Sequence, residues 1–338
     1  MWKFLLRLFS KNTKNEFGFG TGLKPQPGDK RDYEEPLGAA PFDWSKGYDI
    51  EHEMSQAFSK AFKIPVHNQD GSSSCVAQAW TTYGSIKNYF ETGKWVKASA
   101  RDMYSNIWIG FGGAYLRDGG KRYIKSGVLP EHELPSYDNG NPPSETFMRK
   151  KARKSKMLDN LRQVLQGKEY RLVSLNTIDD FAKAIAVNGG VVFGVNGENN
   201  GTWASTYPKI PDKYTWRHAI YGGKVVMRNG KKYIGILNSW GMVGEEGWQY
   251  LGEEWFTSRN VFDGWALSDQ PNHIENEKDY EEITTFIKST GYKPPMKGMS
   301  PYHSKNWSYI TNQTGFNYSA GQHYDYSQAK KLREEYDI

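Results

Sequence analysis

The stretch Pro65-Val66-His67-Asn68-Gln69-Asp70-Gly71-Ser72-Ser73-Ser74-Cys75-Val76-Ala77-Gln78-Ala79-Trp80 reads as a polar turn running into a helix. Cys75 stands at the junction and is the single cysteine of the 338-residue chain. A thiol at a helix N-terminus meets unpaired N–H groups and the positive end of the helix dipole, which favour thiolate. Beyond it, Val76, Ala79, Trp80, Tyr83, Ile86 and Phe90 recur at helical spacing, and Gly93 supplies a stop. Far downstream lie His218 and the run Asn238-Ser239-Trp240-Gly241.

These residues supply the parts of an acyl-transfer site: a nucleophile, a base, an orienter for the base and donors for an oxyanion. Cys75 is the candidate nucleophile and His218 the candidate base. Asn238 is placed to hold one ring nitrogen of His218 through its side-chain oxygen. Gln69, six residues before Cys75, offers an amide that converges with the Cys75 N–H on a developing negative oxygen. Trp240 is expected to cover the His–Asn contact and exclude water, which strengthens that bond. The other six histidines, His52, His67, His132, His273, His303 and His323, are read as surface residues. No cluster has metal-ligand spacing, no phosphate-binding glycine loop occurs, and no cofactor is called for.

Bulk composition narrows the class. Aromatics reach 15% and glycines number 35, against a modest 37% apolar content, which suits a loop-rich enzyme better than a helical bundle. The net charge of +6 is too mild to argue for nucleic acid. A single cysteine forms no intrachain disulfide, which points to a reducing compartment, cytoplasmic or virion-associated. No apolar run is long enough for a transmembrane helix, and Met1–Phe9, broken by Arg7, is read as a short helix and not a signal peptide.

Residues 1–40 are read as an arm or linker, polar and rich in Gly, Lys, Pro and Asp from Ser10 onward, with ordered structure expected from Pro41. Helices are expected over Asp118–Ser126, ended by Gly127, over the basic stretch Met148–Leu165, and over Thr177–Val187, capped by Asn176 or Thr177. Strands are expected over Val191–Val195, from His218 to Met227, over Lys232–Leu237 and over Trp248–Leu251, with a hairpin turn at Arg228-Asn229-Gly230-Lys231. Helices first and antiparallel strands second predict an α+β protein of two lobes. Residues 268–338 form an aromatic-rich tail; from Asp269 it holds eight tyrosines, one leucine and no valine, so it builds no core of its own. Arm and tail are candidate docking segments for a protein partner.

Gln69 with Cys75, His218-Ala219 and Asn238-Ser239-Trp240-Gly241 together resemble the papain-like cysteine peptidases, in the branch of prokaryotic and viral members. Cys75 and His218 lie 143 residues apart, within the family's span of roughly 130–150. Pro41-Phe42-Asp43-Trp44 is similar to the family's mature start, and Phe262-Asp263-Gly264-Trp265-Ala266-Leu267 to the domain end. Gly112-Gly113 resembles the glycine pair whose backbone binds an extended substrate, and Asn188–Val192 a strand lining the right lobe. The resemblance covers residues 41–267. It implies a helical left lobe, a β-rich right lobe, an active site in the cleft between them, a polypeptide substrate and a thioester acyl-enzyme.

The chain also departs from the pattern. The family's Cys-Gly-Ser-Cys-Trp is here Ser72-Ser73-Ser74-Cys75-Val76, so a structural cysteine is absent, and Arg217 stands before His218 where a smaller residue is usual. The arm has no likeness to the family's large helical propeptide, which leaves open whether it blocks the cleft. Three readings of function follow: a cysteine endopeptidase, a non-catalytic binding or structural component (of a virus particle, for example) on a retained peptidase scaffold, and acyl transfer or amidase chemistry by the same residues.

Overall fold

The structure is a computed structural model that describes residues 14–29, 32, 41–110, 112–137, 143–175 and 177–267. The expectations for Met1–Phe9 and for the tail over 268–338 lie outside these residues. The chain divides into two compact units, Met1–Lys87 with Val96–Asp269, and Asn88–Trp95 with Gln270–Ile338. Of the second unit only residues 88–95 are described, and they carry the end of a helix and its Gly93 stop at φ 66°.

A short strand β1 (Tyr48–Asp49) leads into α1 (Ile50–Ala57), whose cap is the Asp49 carboxylate accepting from the Glu51 and His52 amides. Helix α2 (Cys75–Thr92) begins at the cysteine, as the sequence predicts. Then come α3 (Ala100–Ile107), which the sequence reading did not separate, and α4 (Leu116–Ser126), ended by Gly127 at φ 65°. The expected long basic helix over Met148–Leu165 is instead α5 (Glu145–Met148), an irregular stretch, α6 (Lys156–Arg162) and a turn of 3-10 helix at Gln163–Leu165. Like charges three and four residues apart, such as Lys150 with Arg153 and Lys154, oppose a continuous helix there.

The sheet follows. Strand β2 (Tyr170–Val173) precedes α7 (Ile178–Asn188), which Thr177 caps by accepting the Asp180 amide and Gly189 ends in the left-handed region at φ 69°. After α7 come β3 (Val191–Gly197), β4 (Trp216–Arg228), β5 (Lys231–Leu237), β6 (Trp248–Gly252), α8 (Glu253–Thr257) and β7 (Val261–Leu267). Asn229 and Gly230 both take positive φ, 50° and 71°, so the β4–β5 turn matches the right-handed twist of its strands. All pairings are antiparallel, in the order β2-β7-β3-β4-β5-β6, with β1 added to the far part of β4.

The core lies between α7, α8 and this sheet, around Phe181, Phe193, Ile220, Ile236 and Trp255. Helix α2 joins the helical side to the sheet. Its Trp80 donates to the Leu116 carbonyl at 2.9 Å, and its Tyr83 hydroxyl donates to the Asn188 carbonyl at 2.9 Å. A helical lobe and an antiparallel β lobe thus meet along the line where α2 starts and β4 passes. No helix among the described residues is long and apolar enough to cross a membrane.

Candidate active site

Three strands of contact bring the distant motifs together. Asn68 and Trp240 form an isolated antiparallel bridge, Gln69 N–H donates to the Ser239 carbonyl at 2.8 Å, and Gly241 N–H donates to the His67 carbonyl at 3.0 Å. The turn before Cys75 is therefore sewn to the turn after β5. His218 sits on β4 opposite Val195, and the next residue, Ala219, directs its N–H at the Cys75 thiol. Cys75 and His218 are both fully buried.

Hydrogen bonding orients the imidazole. Gln249, on β6, donates its amide to the carbonyls of Trp203 at 2.9 Å and Ser205 at 2.8 Å. Its oxygen is left for the Asn238 amide, at 2.9 Å. Asn238 must then turn its own oxygen to His218 Nε2, 2.9 Å away. That assignment puts the ring proton on Nε2 and a lone pair on Nδ1, which has no hydrogen-bond partner among the described residues. The Trp240 ring stacks on the imidazole with centroids 4.3 Å apart and an interplanar angle of 29°. Trp240 is itself walled by Trp203, Trp216 and Phe19.

The arm occupies the site. Residues 14–29 are not a free linker, and structure begins well before Pro41. Phe19 stacks on the outer face of Trp240 at 5.5 Å and 7°, and Gly20 N–H donates to the Asp70 carbonyl at 2.6 Å. The Gly20 carbonyl accepts from Gln69 Nε2 at 2.8 Å. Gly22 directs its N–H at the Cys75 thiol, while its carbonyl accepts from Ala114 N–H at 2.9 Å. Leu23 pairs with Ala114 in parallel register, is 4% exposed, and rests its side chain where Gly194 leaves room beside Phe262. Glycine is required at 20 and 22, because a Cβ there would collide with the carbonyl oxygens of Ser72 and Ser73. Composition hides this, since the groove that buries Leu23 is built by residues remote in the chain.

Beyond the cleft the arm is clasped. Gln26 donates to Asp263 Oδ1 at 2.8 Å and accepts from Arg117 N–H at 3.0 Å. The Arg117 guanidinium pairs with Asp32 and donates to the Pro27 carbonyl at 2.9 Å.

Occlusion sets the protonation states. Burial pulls His218 down to about 4, opposed by its bond to Asn238. Burial pushes the Cys75 thiol up, opposed by the N–H groups of Ala219, Gly22 and Val76 and by the Lys24 charge. The thiolate expected at a helix N-terminus is therefore not favoured here: desolvation by burial outweighs the N–H donors, and the neutral thiol and imidazole result.

Other predicted residues are already engaged by neighbours. Gln69 is fully buried, and its amide already serves the Gly20 and Ser72 carbonyls, while its oxygen accepts from Ser239 Oγ at 2.6 Å. Of the glycine pair, Gly112 N–H donates to the Ile109 carbonyl and Gly113 N–H to the hydroxyl of Tyr104 on α3, so both N–H groups are already paired. Ala114 is the residue that pairs with an extended chain. Gly113 serves by lacking a Cβ, which would strike the Gly22 carbonyl. His67 is buried, 3% exposed, and not a surface residue; burial and then the Lys97 charge hold it down at about 3. Sequence reasoning missed Gln249, Ser239, Ala114 and the arm's glycines, none of which carries a local signal. Among the described residues no group of three His, Cys, Asp or Glu is placed to hold a metal.

No protein-family model matches the chain, and no curated protein matches it in sequence. Solved structures do match in fold. The cysteine protease xylellain from Xylella fastidiosa is 22% identical, with 76% of this chain and 98% of that one covered and a TM-score of 0.60. Procathepsin B S9 from Trypanosoma congolense is 16% identical, with 74% and 86% covered and a TM-score of 0.54. The Carica candamarcensis cysteine protease CMS1MS2, solved in complex with E-64, is 18% identical, with 66% and 98% covered and a TM-score of 0.50. The fold is papain-like α+β.

Proposed function

We propose that this chain is a papain-like cysteine endopeptidase of the prokaryotic and viral branch, with residues 41–267 as its peptidase domain. The observation that carries the reading is the His218–Asn238–Gln249 hydrogen-bond chain, which fixes the imidazole and leaves its Nδ1 without a hydrogen-bond partner among the described residues. Val76, in place of the family's usual tryptophan, favours the branch.

In this mechanism His218 Nδ1 takes the Cys75 proton and the thiolate attacks a peptide carbonyl carbon. Gln69 Nε2 and the Cys75 N–H hold the oxyanion, a contribution of roughly 3–4 kcal/mol per donor. The imidazolium gives its proton to the leaving amine as the C–N bond breaks, leaving a thioester on Cys75. His218 then deprotonates a water, which attacks the thioester and releases the carboxylate and the thiol. Trp240 shields the His218–Asn238 bond from water, and Ala114 pairs with the substrate backbone. An amine in place of water gives acyl transfer by the same steps.

The chain is latent as described. Gly20 takes the Gln69 donor that an oxyanion needs, and Gly22 presents an N–H to the sulfur in place of a carbonyl carbon. The arm is thus a plug and not a substrate. A non-catalytic scaffold is the second reading, favoured by the same occlusion. Labelling with an E-64-type epoxide at pH ~5–6 separates the two, because an ordinary thiol of pKa ~8.5 reacts little there. The peptidase reading expects labelling at Cys75 once the arm is displaced, lost in His218→Ala. A Cys75 that labels only above pH ~8, with or without His218, leaves the scaffold reading standing.

A further inference from the structure

Two stretches lie near one another at the site, residues 72–74 just before Cys75 and residues 112–114, Gly112 facing Ser73. With one cysteine in the chain no disulfide can tie them. A carboxylate does so instead. Glu145, the first residue of α5, accepts from Ser73 N–H at 2.7 Å through Oε2. Through Oε1 it accepts from the Tyr104 hydroxyl at 2.7 Å, and that hydroxyl accepts from Gly113 N–H at 2.8 Å. Arg149 Nε also donates to Oε1 at 2.7 Å, and its guanidinium lies over the Trp108 ring at 4.4 Å. Gly112, at φ +124°, makes room: a Cβ there would press Glu145 Oε1 at 3.0 Å, Arg149 Nη2 at 3.1 Å and Ser73 Oγ at 3.3 Å.

We propose that Glu145 is a positioning residue of the site, bridging the nucleophile's loop at Ser73 to the chain-binding loop at Gly113 through Tyr104. This rests on the reading of Cys75 as the nucleophile. One end of the bridge sits two residues before Cys75, and the other one residue before Ala114. The bridge therefore sets the distance between the attacking sulfur and the backbone that holds the chain under attack. A charge-assisted bond to a main-chain amide is short and directional, which suits that task. It also gives Gly112 a role distinct from substrate contact, as the gap through which the carboxylate reaches both loops.

The test uses full-length protein, unmodified and with the arm displaced by Gly22→Val, each combined with Glu145→Ala, Glu145→Gln or Tyr104→Phe. A fluorogenic peptide gives kcat and KM, and iodoacetamide labelling gives the Cys75 rate from pH ~5 to 9. Glu145→Ala is expected to lower kcat/KM about 10- to 100-fold, with kcat falling, because a misplacement near 1 Å suffices for that. Glu145→Gln, which keeps one acceptor for Ser73, is expected to restore part of kcat. Tyr104→Phe, which cuts only the Gly113 end, is expected to raise KM while kcat stays within about twofold. A folding defect alone would scale the active fraction in every variant without this split. Hydrolysis in the parent with Glu145→Ala unchanged in both constants overturns the Glu145 proposal alone. No hydrolysis and no labelling at mildly acidic pH in either parent overturns it together with the nucleophile reading.

Discussion

The Gly20 carbonyl oxygen lies 2.8 Å from Gln69 Nε2, so a residue of the arm holds the donor that would otherwise await the substrate's oxygen. Cys75 and His218 are fully buried, and burial favours the neutral form of both. The arm's passage depends on two residues without side chains.

Gly22→Val, and separately Gly20→Val, are expected to lift the arm, since the added atoms have nowhere to go but into the Ser73 and Ser72 carbonyls. Labelling of Cys75 by iodoacetamide near pH 6, followed by mass spectrometry, should accelerate by about tenfold or more as the ion pair forms in the exposed site. An unchanged labelling rate would show that the arm does not guard the thiol.

Stability is expected to fall as pH drops from about 6.5 to 4. His218 and His67 are held at about 4 and about 3, below the ordinary 6.5, so the unfolded chain binds more protons in that window. For His218 alone the loss is on the order of 3 kcal/mol when complete. Asp263 acts in the opposite sense. Burial raises it to about 6, so the folded state takes up its proton first and gains stability on acidification. Asp263→Asn removes that offset and should steepen the decline. Urea unfolding at pH ~7, 5 and 4 reads both slopes, and a flatter profile in Asp263→Asn would contradict the assignment.

Gln249→Ala should lower kcat by about tenfold with KM little changed, because it frees Asn238 to rotate and misdirect the imidazole. Gln249 is fully buried and its partners are the Trp203 and Ser205 carbonyls. Leaving those groups unpaired should also cost roughly 1–3 kcal/mol, seen as a lower melting temperature. Kinetics on the arm-displaced protein check the first effect. A kcat equal to the parent's would remove Gln249 from the orienting chain.

Trp240→Ala opens the His218–Asn238 bond to water and deletes a ring packed against four aromatic neighbours. The expected stability loss is roughly 3–5 kcal/mol. Trp240→Phe keeps a ring over the imidazole and should retain most of both stability and kcat. If the two variants match in kcat, the stacking contributes only to packing.

Features that depend on neighbours along the chain follow from short-range physics. The start of α2 at Cys75, the Thr177 cap and Gly189 stop of α7, and the Asn229-Gly230 turn between β4 and β5 each rest on residues within one turn of one another. The reading of Cys75, His218, Asn238, Gln69 and Trp240 as a site rests on chemical type and order along the chain; the structure joins His218 to Asn238 and Trp240, and Gln69 to Ser239 between those two. Tertiary structure alone decided which proton each carries and who occupies the site. Gln69 is engaged by Gly20, Asn238 is oriented by Gln249, and Ser73 is held by Glu145 from 72 residues away. Burial sets the state of Cys75 and His218, and burial is a property of everything packed around a group. A polar, glycine-rich arm looks like a linker until the groove that receives it exists, because that groove is made from loops and strands far along the chain.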